Sequence, residues 1–232
     1  MMCCVDVDTE KVTFAPDTKE FKAGRAALDR ARTAHARYIA NGKITDALLK
    51  GVIALAKLDN VYRHGYMDDD VGTAHSVDLK ELRKLISIVN PLLFRSKKHC
   101  ILNPTLGHAS RLVRGADADL IIDGTLIEIK VTKTFRVDRD DFNQLIGYAA
   151  LAEINRLNNK ASTPRITKIG IYFARHAHLE VWKLRDFLNP DTLPSFLGWF
   201  SEKVGSRRVP VLARRSNRKA PAPTRRRITT RR

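Results

Sequence analysis

The stretch Gly115-Ala-Asp-Ala-Asp119-Leu-Ile-Ile-Asp-Gly124-Thr-Leu-Ile-Glu128-Ile-Lys130 constrains the fold most. Asp123-Gly124 is a strong two-residue turn between two apolar-rich runs, so the segment reads as a β-hairpin. A two-residue turn pairs Ile122 with Thr125, Ile121 with Leu126 and Leu120 with Ile127. It then sets Asp119 opposite Glu128, and Asp117 opposite Lys130. Side chains alternate along a strand, which predicts Asp117, Asp119, Glu128 and Lys130 on one face. Ala118, Leu120, Ile122, Ile127, Ile129 and Val131 are predicted on a wholly apolar opposite face. Two directly opposed carboxylates repel and cost stability. A divalent cation between them would offset that cost, and oxygen-rich sites suit Mg²⁺ or Mn²⁺.

A second motif follows, Gln144-Leu-Ile-Gly-Tyr148, whose Gln and Tyr lie at i and i+4 on one helix face. Together the two motifs resemble the PD-(D/E)xK nuclease superfamily, RecB-type branch. Asp119 stands for the first acid, Glu128-x-Lys130 for the (Asp/Glu)-x-Lys element, and Gln144 with Tyr148 for the Gln-x-x-x-Tyr element. The resemblance covers residues 78 to 182. Ala118 stands where the family name has Pro, a position that holds no ligand. A solvated hairpin face explains Asp117 opposite Lys130 as a cross-strand ion pair, but not two opposed acids. For Gln144 and Tyr148, a strand-edge cap and a core tyrosine remain a reading of equal weight.

The resemblance implies an α/β, restriction-endonuclease-like core, a small mixed β-sheet flanked by helices. It implies a Mg²⁺- or Mn²⁺-dependent DNA nuclease that hydrolyses phosphodiester bonds in repair, recombination or defence. Asp119, Glu128 and the backbone carbonyl of Ile129 would hold the metal. Lys130 would orient the attacking water or stabilise the pentavalent charge, and Gln144 and Tyr148 would support the site. A third acid from an upstream helix is expected, and Glu81 has that location. Asp78-Leu-Lys-Glu81 also fits a capping box, a structural use. Asp59 is the alternative third acid: it falls on one stripe with Leu48, Val52 and Leu55, and a carboxylate on an apolar stripe needs a partner, either a metal or Arg63 one turn on. Lys133, Arg136 and Arg175 follow the catalytic strands within reach of phosphate, although exposed basic residues are usually only solvated. Trp182 and Trp199 read as core. The alternatives to a nuclease are a non-catalytic nucleic-acid-binding protein and a nuclease-fold subunit of a homo-oligomer or larger assembly.

Charge points the same way. The 232 residues carry a net charge of +17, which favours a polyanionic partner such as DNA. Twelve Lys and Arg and no acid lie between Lys203 and Arg232, leaving only +5 for the first 202 residues. Residues 206–232 therefore read as a disordered basic tail suited to phosphate tethering. The three cysteines, Cys3, Cys4 and Cys100, form no disulfide framework or zinc spacing and suggest a reducing, cytoplasmic or nucleoid-associated setting. His176-Ala-His178 lacks a partner pair for zinc. No stretch resembles a signal peptide or a membrane span. No phosphate-binding Gly-rich loop signals a motor, and no Gly-x-Ser-x-Gly elbow is present.

Apolar spacing and stop signals predict helices over about 20–40, 44–63, 77–89, 138–155 and 193–204. Strands are expected at 100–102, across the hairpin, and at 167–174 and 179–184, with residues 1–17 irregular. Asp68, Asp69 and Asp70 read as a solvated loop. The domain assignment is a nuclease-like unit over 1–205, with a helical N-terminal part over 18–90, a catalytic core over 76–184, and the tail beyond.

Overall fold

Asp123 and Gly124 both adopt left-handed backbone, with φ of 46° and 78°, the requirement of a type I′ hairpin turn. Glycine is needed at the second position, because a Cβ there would lie 2.8 Å from the Arg165 carbonyl oxygen. The turn pairs Ile122 with Thr125, Ile121 with Leu126 and Leu120 with Ile127, the register its length dictates. These positions come from a computed structural model, which describes residues 3–6, 11–14, 17–64, 66–158 and 164–205.

Strands β1 (Cys3–Asp6) and β2 (Lys11–Phe14) form an antiparallel pair, where irregular chain was expected. Helices α1 (Lys19–Asn41), α2 (Asp46–His64) and α3 (Ser76–Ser87) follow. The main sheet contains β3 (Cys100–Leu102), β4 (Leu120–Ile122), β5 (Thr125–Lys130), β6 (Lys168–Phe173) and β7 (His178–Lys183), in that spatial order. Only β5 and β6 run parallel. Helix α4 (Arg139–Asn158) makes the crossover between them, which parallel neighbours require. Helix α5 (Leu193–Gly205) closes the described chain. The architecture is α/β, a five-stranded mixed sheet with helices packed on it.

The sheet is apolar on both faces around its centre. Ile121, Leu126, Ile169, Ile171 and Phe173 pack under α4 with Leu145, Ala149 and Ala152. Leu120, Ile122, Ile127 and Tyr172 form the smaller cluster on the other face, with Val89 and Phe94 over it. Each fully buried aliphatic side chain contributes roughly 1.5–3 kcal/mol, so β5 is fixed from both sides. Near its C-terminal end the expected alternation breaks. Ala118 joins the α4-side core rather than the face of Leu120, and Ile129 and Val131 are exposed. The cause is that the first hairpin arm leaves the ladder at Asp119. Its backbone is held there by Asn103 N–H on the Asp119 carbonyl and Ala118 N–H on the Pro104 carbonyl.

The N-terminal helices pack through small residues. Ala27, Ala31 and Ala34 are buried on α1, and a Cβ on Gly51 of α2 would lie 3.0 Å from the Ala31 Cα. This seam buries Leu49 and Ala54 and turns Val52, Leu55 and Asp59 outward. The acid thus lies on an exposed stripe, and the expected apolar environment for it does not form. The side chain of Arg63 lies outside the described residues. Asp70 is pinned to α2 by Lys57 at 2.6 Å, and Asp68 accepts from the Asn60 amide, so the acidic loop is more than solvated. Trp182 packs on the core, but Trp199 is exposed. The basic tail, 206–232, lies outside the described residues. Among the described residues no helix is long and apolar enough to cross a membrane.

The hairpin turn is also an anchor. The Asp123 carboxylate accepts the backbone N–H groups of Lys97, Lys98 and His99 at 2.7–2.9 Å. Those bonds, led by that of His99, hold its pKa down to about 2 against an ordinary 3.8. A depressed carboxyl stabilises the fold above the unfolded pKa, and that stabilisation is lost as pH falls toward the folded one. Asp123→Asn keeps the turn preference and removes the charge. The variant is expected to melt below wild type at neutral pH, with the gap closing between about pH 4 and 2. A gap independent of pH across that range would exclude the carboxylate as its source.

Candidate functional site

The end of β5 delivers two charges to the α4 side of the sheet. Leu126 is wholly buried under α4, so the alternation sends Glu128 and Lys130 the same way. Glu128 is only 9% exposed. The Lys130 ammonium lies 3.3 Å from Glu128 Oε1, 3.2 Å from Asp141 Oδ1 and 2.8 Å from Gln144 Oε1. Three donors thus meet three oxygens. Gln144 in turn donates through Nε2 to the Tyr148 hydroxyl at 2.8 Å. Asp141, Gln144 and Tyr148 follow one another at three and four residues, on one face of α4.

The helix start fixes Asp141. The Asp138 carboxylate caps α4, accepting from Asp140 N and Asp141 N at 3.0 and 2.9 Å, and the Asp141 N–H bond leads in holding its pKa down. This leaves the Asp141 side chain to lean toward Lys130. A first-turn acid is ordinary helix-dipole chemistry in sequence. Its spacing of three before Gln144 is the signal that would have marked it as a site residue.

Asp119 closes the site from the other arm. Its Oδ2 accepts the Ile129 N–H at 2.7 Å, a cross-strand bond made where the regular ladder has ended. Burial pushes the Glu128 carboxyl up, the Asp119 charge adds to this, and Lys130 and Gln144 pull it back with a net rise. The Asp119 charge thus acts on Glu128 in the direction expected of two neighbouring acids, after burial. Burial lowers the Lys130 pKa, but Asp141 and Glu128 outweigh it and the net shift is upward. Tyr148 is raised, chiefly by burial.

The structure thus gathers Asp119, Glu128, Lys130, Gln144 and Tyr148, and it adds Asp141. Asp117 does not join them; its side chain is exposed, because the chain before Asp119 has left the strand. Glu81 forms an ion pair with Arg175, whose Nε also donates to the Val131 carbonyl at 3.4 Å. It is not in a capping box: α3 begins at Ser76, with His75 as its N-cap. Among the described residues no group of three or more His, Cys, Asp or Glu is arranged to hold a metal. Neither Glu81 nor Asp59 therefore completes a three-acid set. Asp119 and Glu128 remain as two neighbouring acids at the end of β5, joined through the Ile129 N–H bond to Asp119 and the Lys130 contact to Glu128.

The charged cluster lies away from the apolar cavity at the opposite end of β6. That cavity, of about 420 Å³, is lined by Ile166, Lys168, Lys183, Leu184 and Leu188 among others, and it shares no residue with the site. Comparison of the chain with family models, curated proteins and solved structures yields no match.

A raised carboxyl holds its proton more tightly in the folded protein than in the unfolded chain. Wild type therefore loses stability as pH rises above the ordinary glutamate value of 4.5 through the folded one. Glu128→Gln does not titrate, and Lys130 keeps Asp141. In chelator at neutral pH the variant should equal wild type or exceed it by about 0.2–1 kcal/mol, with the difference shrinking below about pH 4. A clearly less stable variant in thermal melts at neutral pH would mean that Lys130 more than offsets the repulsion.

Proposed function

We propose that this protein is a metal-dependent nuclease of the PD-(D/E)xK type, acting on DNA. The observation that carries the reading is the pairing of a buried Glu128 and a neighbouring Asp119, with Lys130 two residues on from Glu128 on the same face. Donor chemistry fits a hard divalent cation: two carboxylates and a carbonyl, with no sulfur or imidazole. Burial is the main cause of the upward push on Glu128 and the Asp119 charge adds to it; a cation between the two acids would oppose both. Helix α3 before the first strand and α4 after the hairpin occupy the places that the resemblance assigns to the upstream acid and the Gln-x-x-x-Tyr helix. Their order supports the restriction-endonuclease-like core as the finer description of the fold.

Asp119, Glu128 and the Ile129 carbonyl would hold Mg²⁺ or Mn²⁺, which when bound supplies Lewis-acid polarisation and a more acidic water. The protein's own groups do the rest. Asp119 is aimed by its bond to Ile129 N–H. Lys130, kept charged by Asp141 and Glu128, presents a cation to a phosphodiester oxygen or to the attacking water. Gln144 holds the ammonium from the side away from Glu128's strand and is itself fixed by Tyr148. The alternative, a nucleic-acid binder or assembly subunit without catalysis, would keep the fold but has no use for a buried Glu128 with a second acid, Asp119, beside it.

Cleavage of linear DNA should require Mg²⁺ or Mn²⁺ and should be lost in Asp119→Ala, Glu128→Ala and Lys130→Ala. The lysine is not a ligand, so Lys130→Ala should still gain stability from excess Mn²⁺, about 2.7 kcal/mol at one hundred times the dissociation constant. Wild-type cleavage by Lys130→Ala would reject the reading. So would the absence of any Mn²⁺ effect on wild-type melting together with no cleavage.

Truncation after Gly205 removes a stretch dense in Lys and Arg. Duplex binding should weaken and its salt dependence flatten, by about 0.9 in slope for each phosphate no longer neutralised. An unchanged affinity and slope would remove the tail from DNA binding.

A further inference from the structure

Beside the charged cluster lies a group of rings that the proposed chemistry does not use. Phe135, in the loop that leaves β5, packs edge-on to Phe173 at 5.0 Å between ring centroids. The same phenyl ring meets His176 at 5.0 Å, tilted by 42°, and His178 at 5.0 Å, edge-on. Although it touches three rings, Phe135 remains 56% exposed. His176 and His178 are exposed as well. More than half of the Phe135 surface is thus left in water beside two exposed imidazoles.

The register places this group relative to the site. Lys130 pairs with Phe173 across β5 and β6, and Phe173 pairs with His178 across β6 and β7. Lys130, Phe173 and His178 therefore form one row on one face of the sheet, with adjacent strands about 4.8 Å apart. The ring cluster starts one strand from the lysine. Two cations flank it, Lys133 and Arg136, exposed on the same loop, while on the β7 side His178 Nε2 meets the Glu180 carboxylate at 3.1 Å. The Arg175 guanidinium bridges Glu81 and the Val131 carbonyl at the loop's start.

We propose that Phe135, with His176 and His178, is a stacking platform for an unpaired nucleobase next to the phosphodiester held at the site. It follows that single-stranded or frayed nucleic acid is the preferred substrate class. Flat aromatic faces flanked by cations bind a base and its phosphates together, whatever the base, because every base has a π-face. A paired base keeps both faces within the duplex stack and cannot use the platform. The inference rests on the nuclease reading for its location and on the rings alone for its binding chemistry.

The test measures binding in chelator, so that it does not depend on cleavage. The probes are a labelled oligothymidine of about 12 nucleotides, an abasic oligomer of equal length, and a duplex. Phe135→Leu keeps an apolar cover over Phe173 without a flat ring, and Phe135→Trp restores one. Residues 206–232 contain no Phe, Tyr or Trp, and phosphate binding by the tail acts on both single strands alike. Wild type should bind oligothymidine about 5- to 150-fold more tightly than the abasic strand. Phe135→Leu should lose that difference with an unchanged melt. Phe135→Trp should recover it, with its fluorescence quenched on binding. If wild type does not distinguish the two strands, or if Phe135→Leu distinguishes them as wild type does, the platform is rejected. Base-dependent binding without Mn²⁺-dependent cleavage would reject the nuclease and keep the platform. Cleavage with base-independent binding would do the reverse.

Discussion

The Lys130 ammonium holds this site together. Within 3.3 Å it meets Glu128, Asp141 and Gln144, from the central strand and from the helix that crosses over it. Without that cation, two carboxylates would face each other across a half-buried space next to a third on Asp119. Bringing such charges together out of water is costly unless they are paired. The lysine satisfies one from the strand and one from the helix, and so ties α4 to β5 at the point where the sheet's apolar packing gives way to polar groups. Tyr148 and Gln144 extend the same chain of bonds along the helix. The direction of the pKa shifts records the balance: Glu128 is pushed up despite the lysine, and Lys130 is held up by the acids.

That arrangement depends on a strand that is buried on both sides. Leu126 and Ile127 point to opposite faces and both are enclosed. β5 is hydrogen-bonded to an antiparallel neighbour on one edge and a parallel one on the other. A strand so fixed cannot slip by a residue without turning its whole apolar set outward. The positions of Glu128 and Lys130 are therefore consequences of the core. Gly124 makes the same point at the other end of β5, where the Arg165 carbonyl approaches too closely for any side chain.

The hairpin was legible because its turn type and its alternation agree, so that the register could be counted from Asp123-Gly124. The helices were legible from apolar spacing and from stops such as Asn41-Gly42, where Gly42 takes the left-handed cap. The counting failed where pairing stopped. Beyond Leu120 the chain is governed by bonds to Asn103 and Pro104, so Ala118 and Asp117 do not follow the strand's alternation. Asp119 still reaches the site, but by bonding Ile129 N–H. The stripe of Val52, Leu55 and Asp59 misled for a different reason. Small residues on α1 drew the opposite side of α2 into the seam, and hydrophobicity alone does not reveal which stripe finds a partner. The Glu81–Arg175 pair and the Asp123 anchor join residues far apart in sequence, and no local spacing encodes them; Asp141 escapes notice because a first-turn acid reads as helix-dipole chemistry. β1 and β2 are only four residues each, too short for the alternation in Lys11-Val-Thr-Phe14 to stand out as a strand signal.

The parallel pair at the centre explains why the chemistry collects at one end of the sheet. β5 and β6 both run toward the same edge, so Glu128, Lys130 and Val131 end beside Phe173, Ala174 and Arg175. β7 turns back from that edge and starts there with His178. Loops at the carboxyl ends of parallel strands are where open α/β sheets gather ligand-binding groups. Here one such loop carries Lys133, Phe135 and Arg136, the other Arg175 and His176. The opposite edge is also basic, with Lys168 and Lys183 around an apolar cavity, but Glu153 there is already bonded to Arg156 through two oxygens. Its acid is neutralised within the helix. At the Lys130 end the acids outnumber the cation that joins them, and the Glu128 carboxyl remains pushed up. Of the two ends of the sheet, and among the described residues, it is this one that joins Asp119, Glu128 and Asp141 with a fixed ammonium and exposed rings.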